Sequence, residues 1–214
     1  MVVFAQDNIS WGNPIANRKT KEYIRANKST YMKKTIIGSI VGAIILFLWQ
    51  FLSWTTLDLH RPMQDYTPKQ DSILAFLSAN LEKEGGYYMP SLPKGTSFEE
   101  MEKLTAASVG KPWVSLQYHQ ALEYNMGLSM ARAFLVDVLL VWMLIWILGK
   151  FAKNDFTTSL FASLIIGIFV YLNSNYTLHI WYPMFDIRAY LIDAVVAWGL
   201  TGIWLGWWLN RKKA

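Results

Sequence analysis

The sequence predicts a membrane protein of the all-α class, with four transmembrane helices and a small α+β extracytoplasmic domain inserted between helices 1 and 2. Three observations predict it. First, residues 35–54 form an uncharged apolar run. At 1.5 Å per residue, a helix of about twenty residues crosses a hydrocarbon core of roughly 30 Å. Second, three further apolar stretches follow, and the basic segments that flank the spans, Lys33-Lys34, Lys150 with Lys153, and Arg211-Lys212-Lys213, fall on one side of a four-span threading. Third, 53% of the chain is hydrophobic, with eleven Trp, eleven Tyr and eleven Phe. Rings with a polar tip suit the several membrane–water interfaces of such a chain.

The first span covers residues 32–54, opening on Met32-Lys33-Lys34 and closing on Ser53-Trp54. Its apolar run is longer than a signal-peptide core and no A-x-A cleavage site follows, so it reads as an uncleaved anchor. Residues 1–31 are polar and carry Arg18, Lys19, Lys21, Arg25 and Lys28. Two readings stay open for them: a basic cytoplasmic tail drawn to anionic lipid, or sequence upstream of a true start at Met32.

The second span, residues 128–149, is apolar apart from Arg132, Asp137 and the basic end of its flank. The third, residues 156–172, is near the lower length limit for a span. Residues 173–186 then form an aromatic outer loop, in which Asn175-Tyr176-Thr177 matches a glycosylation acceptor. The fourth span, residues 187–209, is interrupted only by Arg188 and Asp193, and residues 210–214 form a basic cytoplasmic tail. Lys33 and Lys34, Lys150 and Lys153, and Arg211, Lys212 and Lys213 share one side. The positive-inside rule puts both termini in the cytoplasm and the inserted domain outside, with the chain in the cell inner membrane.

Residues 55–127 are mildly acidic and read as helix, strand, helix, strand. Thr67-Pro68-Lys69-Gln70 is a helix start, after which Ile73, Leu74, Leu77 and Leu81 share a face and Gly85-Gly86 ends the helix. Tyr87 to Leu92 is strand-like, with Pro90 at an edge or bend. Ser97-Phe98-Glu99-Glu100 is a capping box that opens a second helix, with Phe98, Met101 and Leu104 inward. Trp113 to His119 alternates as a strand, with Val114, Leu116 and Tyr118 on one face. Such a short segment buries a thin core, so it is expected to lean on the membrane helices.

The most chemical feature is a polar set in the spans: Asp137, Asp193, Arg132, Arg188 and Gln50, with Ser53 beside them. Charges facing lipid are costly, so these groups are expected to face one another or water. One reading is structural pairing between helices, Asp137 with Arg188 and Asp193 with Arg132 or Gln50. The other is a proton- or ligand-binding cluster. Small residues recur at four-residue spacing: Gly38 and Gly42; Ser159, Ser163 and Gly167; and Gly199, Gly202 and Gly206. They are expected to pack helices closely, with Gly38-Gly42 against Gly202-Gly206. Trp142, Trp146, Trp198, Trp204, Trp207 and Trp208 read as interface and lipid-facing residues rather than a ligand cage.

Several functions are excluded or left without support. There is no cysteine, so disulfides and thiolate chemistry are absent. No metal site is expected: His60, His119 and His179 lack ligand spacing. No P-loop, dinucleotide loop, G-x-S-x-G or H-E-x-x-H is present, so no catalytic residue and no cofactor are assigned. The net charge of +5 sits at span ends, and nucleic acid is not an expected partner.

Leu48-Trp49 to Ser53-Trp54, Gly86-Tyr87-Tyr88-Met89-Pro90, the strand Trp113 to His119, and Asp193 to Gly202 together resemble an uncharacterised family of small bacterial four-helix inner-membrane proteins with an extracytoplasmic domain between the first and second spans. The resemblance covers roughly residues 32–209 and implies fold and threading, with no activity, cofactor or catalytic residue. The expected function is a non-enzymatic subunit or accessory scaffold that binds a membrane or periplasmic protein through its inserted domain. The alternative is a small transporter or proton-coupled protein using Asp137 and Asp193. A membrane enzyme acting through Glu or His of the inserted domain is a third option.

Overall fold

The computed structural model describes residues 14–211, with side chains followed from Tyr31 onward. Of the segment read as a basic tail or an upstream start, residues 1–13 lie outside the described residues, and the rest is helical backbone from Pro14. The chain is mostly helical. Its four long apolar helices carry a small α/β segment between the first and the second. In order, the elements are α1 (Pro14–Phe51), α2 (Gln70–Asn80), β1 (Gly85–Met89), α3 (Phe98–Ser108), β2 (Val114–Tyr118), α4 (Met126–Leu148), α5 (Phe156–Val170), α6 (Thr177–Trp181) and α7 (Ile187–Asn210). They divide into two compact units. One holds the four long helices, up to Met63 and from Met126; the other is Gln64–Asn125.

In the helical unit, α1 packs against α4 and α7, and α7 also packs against α5. Leu46, Val141, Leu144, Ile145, Leu148, Ala197 and Leu205 form the buried apolar centre. The helix that carries the expected third span continues beyond residue 172. α5 continues through a π-helical stretch, Tyr171–Tyr176, into α6, so helix runs unbroken to Trp181. Asn173, Ser174 and Asn175 thus lie on a helix, and the connection to α7 shrinks to residues 182–186. Asp155 caps α5: its carboxylate accepts from the Thr158 backbone N–H at 2.9 Å. That bond, with the Thr158 hydroxyl and Lys153, holds the Asp155 carboxyl down at about 2.

Small residues set two seams, and these differ from the expected one. A Cβ on Gly42 would lie 2.7 Å from Val141 Cγ1 of α4. A Cβ on Gly202 would lie 2.9 Å from Ser163 Cβ, on Gly206 2.8 Å from Phe156 Cδ2, and on Gly167 2.6 Å from the Ala194 carbonyl oxygen. So Gly42 serves the α1–α4 contact, and Gly167, Gly202 and Gly206 serve α5–α7. Gly38-Gly42 does not meet Gly202-Gly206. Gly38 does face α7, but through tryptophan. Trp204 Nε1 donates to the Gly38 carbonyl at 3.1 Å and Trp208 Nε1 to the Lys34 carbonyl at 2.8 Å. The missing Gly38 side chain leaves its carbonyl open to an indole, and Lys34 is one turn away on the same face. Trp198, Trp204 and Trp208 are therefore inside the bundle, packed on the core or buried, while Trp142, Trp146 and Trp207 are exposed.

Lys34 Nζ donates to the carbonyls of Leu209 (3.1 Å) and Arg211 (3.2 Å), which places the start of the first span beside the end of α7. An ammonium among the last carbonyls of a helix also opposes the negative end of its dipole.

The other unit is thin. β1 and β2 pair antiparallel, with Gly85 opposite Tyr118 and Met89 opposite Val114. Ser97 and Glu100 form the expected capping box at α3. α2 begins at Gln70, three residues after Thr67, and ends at Asn80; Gly85-Gly86 belong to β1 and are not the helix stop. Neither α2 nor α3 contains a buried residue. Phe98 and Met101, expected inward, are exposed.

The seams make a graded prediction. Gly167→Ala and Gly202→Leu should each destabilise the bundle by about 1–3 kcal/mol through overpacking. Gly199→Ala meets only Leu164 Cδ2 at 3.4 Å and should be neutral or slightly stabilising. Thermal unfolding of the three variants in one detergent would expose a wrong placement as an inverted order.

Candidate functional site: a histidine between two aspartates

The polar residues of the helical unit gather at the end of the bundle opposite Lys34, where α1 closes and α7 opens. α1 runs into a π-helical turn, Leu52–Thr56, with the Leu57 N–H bonded to the Leu52 carbonyl. Widened turns of this kind often mark functional sites. Asp58 then takes a positive φ of 48°, a conformation that Asp tolerates better than bulkier residues, and the Leu59 N–H reaches back to the Ser53 carbonyl at 2.9 Å. The chain is thereby folded back so that His60 lies beneath the end of its own helix. Its ring stacks on Trp54, with centroids 3.9 Å apart and planes 6° from parallel, and Tyr190 closes it edge-on.

His60 is 1% exposed and has a carboxylate at each nitrogen. Nδ1 lies 2.7 Å from Asp186 Oδ2, and Nε2 lies 2.9 Å from Asp193 Oδ2. Asp193 Oδ1 also accepts from Trp49 Nε1 at 2.9 Å and from the Ser53 hydroxyl at 2.6 Å. Residues 49 and 53 are one turn apart on α1, so the same face supplies both donors. Asp186 and Asp193 are two turns apart at the start of α7, so they too can share a face. Asp186 Oδ1 is buried with no partner among the described residues.

Donor counting defines what this arrangement holds. An ionised carboxylate only accepts, and a neutral imidazole has one N–H to offer. Two carboxylates against both ring nitrogens are satisfied only with one more proton, carried as imidazolium or on one carboxyl. Asp193 receives Trp49, Ser53 and His60, the environment of an anion. Asp186 has a single side-chain contact, the short one to His60, and an orphaned oxygen.

A second polar contact lies on the α4 side of α1. Gln50 Nε2 donates to Asp137 Oδ1 at 3.1 Å, and Asp137 Oδ2 is buried without a partner among the described residues. An open recess of about 470 Å³ adjoins it, lined by Gln50, Ser129, Arg132, Ala133, Val136 and Asp137.

The pairings expected from sequence are rearranged. Asp137 meets Gln50 instead of Arg188, and Asp193 meets Trp49, Ser53 and His60 instead of Arg132 or Gln50. No ion pair joins Arg132 or Arg188 to either aspartate among the described residues, and both arginines are exposed. The reason is that α1 packs on both α4 and α7, so its polar residues reach the two aspartates. His60 and Asp186 were not singled out for this cluster by the sequence. The available signal was the spacing Asp186, Tyr190, Asp193, which puts all three toward one side of a helix. His179 takes a separate role, accepting the Met184 backbone N–H at Nδ1. Among the described residues no group of three His, Asp or Glu side chains is arranged to hold a metal ion.

Removing His60 leaves two carboxylates facing each other across an empty ring site. His60→Ala should destabilise the bundle by about 3 kcal/mol, measured by thermal or denaturant unfolding in detergent. A loss below about 1 kcal/mol, the value of an ordinary hydrogen bond, would mean that the contact pair is not formed.

The chain is an integral membrane protein with four spans. No family model, curated protein or solved structure matches it, so the resemblance drawn from its sequence identifies no family.

Proposed function

We propose that this protein is a non-enzymatic accessory subunit of a membrane assembly and that its inserted unit docks a partner protein. One observation carries the reading: the inserted unit leaves its apolar side chains uncovered. Ile73, Leu74 and Phe76 of α2, Phe98 of α3, Trp113, and Leu122 at 91% exposure are all exposed, and Tyr118 is the one hydrophobic residue of the unit that is buried. Exposed apolar surface, where it gathers into a patch, marks an interaction site, and Leu74 and Leu122 line one groove. The proposed setting is the cell inner membrane, with both termini cytoplasmic and the inserted unit outside. Its support is the basic end of the bundle, where Lys34 reaches Leu209 and Arg211.

Cross-linking in membranes followed by purification and mass spectrometry should recover one reproducible partner attached through residues 64–125. A monomeric mass with no partner would count against the reading. Reporter fusions at Gly95 should be active outside the cytoplasm and fusions at Lys153 inside.

A second reading, a proton-coupled membrane protein, is favoured by the placement of one buried imidazole between two carboxylates, Asp186 and Asp193. Asp193→Asn keeps acceptors for Trp49 and Ser53 and turns an amide donor toward His60, so it should leave folding intact. If the cluster exchanges protons in function, this variant is folded and inactive. Full activity would confine the cluster to a structural role.

A further inference from the structure

We infer that the outer edge of β2 receives an extended segment of the partner protein, one with apolar side chains at alternate positions and at least one basic residue. The inference rests on the partner-docking reading above and specifies how the partner is held. The sheet has two strands, so β2 has one edge paired to β1 and one that is not. In an antiparallel pair, alternate backbone N–H and C=O groups point to that outer edge. Among the described residues, no backbone hydrogen bond other than those to β1 reaches residues 113–119. Proteins usually blunt such an edge with lysine, proline or a covering segment. Val114-Ser115-Leu116-Gln117-Tyr118 contains neither residue.

A groove of about 690 Å³ runs beside this edge. It touches Leu116, Gln117, Tyr118 and His119 in succession, residues whose side chains alternate between the two sheet faces, and none of Gly85–Met89. A recess on one face would include every second residue of β2 and Tyr87 opposite Leu116. Four successive residues along the end of the second strand, with none of Gly85–Met89, favour a groove along the outer edge, closed at its end by Glu84, which stands opposite His119. Its far wall is α2, through Leu74 and Leu77. A strand laid between a sheet edge and a helix uses both walls: its backbone completes the ladder, and its alternate side chains meet the leucines. A helical ligand would cover the edge without pairing it and would leave the backbone groups desolvated.

Charge selects the occupant further. The charged side chains on the groove are Glu84 and Glu123. Glu84 is fixed beside the end of β2, where its carboxylate accepts the Gln120 N–H at 2.8 Å. An acidic rim favours a basic segment, by steering its approach and fixing its register.

The experiment uses the full chain in nanodiscs and three synthetic peptides: one alternating valine and lysine, one alternating valine and glutamate, and one amphipathic leucine–lysine helix. Binding is read by fluorescence anisotropy and by amide hydrogen exchange over residues 113–123. The valine–lysine peptide should bind saturably, slow exchange of the residue 113–119 amides, and weaken with added salt. The glutamate peptide should bind at least roughly tenfold more weakly. Leu74 is 58% exposed, so Leu74→Asp keeps the fold, checked by unchanged β1–β2 protection, and should weaken the lysine peptide roughly tenfold.

Saturating peptide without added protection at 113–119 would overturn the inference, as would tighter binding of the helical peptide. A partner recovered by cross-linking that leaves the 113–119 amides unprotected also overturns it, while the accessory-subunit reading stands. Edge protection by the peptide, in a protein from which no partner is recovered, supports the edge as a site and tells against that broader reading.

Discussion

A polar side chain on a membrane-spanning helix has no water to turn to, and the helical unit is arranged around that constraint. α1 meets it on two sides. Trp49 and Ser53 donate to Asp193 on α7, and Gln50, one residue further round, donates to Asp137 on α4. The turn after α1 adds His60, whose two nitrogens tie Asp186 and Asp193 together. A single helix thus gives the aspartate of each neighbour, Asp137 on α4 and Asp193 on α7, a hydrogen-bond donor. The arginines take no part in this and remain at the exposed surface.

Where no polar group is involved, the bundle relies on close approach. Lipid is as apolar as leucine, so helices gain by contact area and shape more than by hiding from solvent. Gly42 lets α1 close on Val141, and Gly167, Gly202 and Gly206 let α5 and α7 close on each other. Ser163 and Thr201 lie buried in the bundle because their hydroxyls donate to carbonyls one turn back, Ser159 and Ala197, and leave no donor exposed. Between α1 and α7, the indoles of Trp204 and Trp208 combine the two devices: a large apolar ring fills the space and its N–H takes up a carbonyl of the facing helix.

The inserted unit departs from both. Its two strands satisfy each other along one edge only, and its helices turn apolar residues outward. A segment this short cannot enclose a core of its own. Residues of its second strand and the apolar Leu74, Leu77 and Leu122 line one groove, the combination that the proposed strand-donating partner would complete.

The sequence by itself determined the class, the number of spans and the order of the inserted elements. Each depends on local pattern: uncharged apolar runs, basic flanks, the Ser97–Glu100 capping box and the alternation from Val114 to Tyr118. Local pattern also marked Asp137, Asp193 and Gln50 as residues in need of partners. It did not assign the partners, because two helices present several polar residues at similar depth and only their rotation about the helix axes chooses among them. The tertiary structure chose Gln50 for Asp137, and Trp49, Ser53 and His60 for Asp193. It likewise sent Gly42 to Val141 and Gly202 to Ser163 in place of a shared glycine seam. His60 was least legible of all. It lies beyond the apolar run of the first span, and only a π-turn followed by one residue of positive φ returns it to the bundle, a backbone path that no periodicity in the sequence encodes.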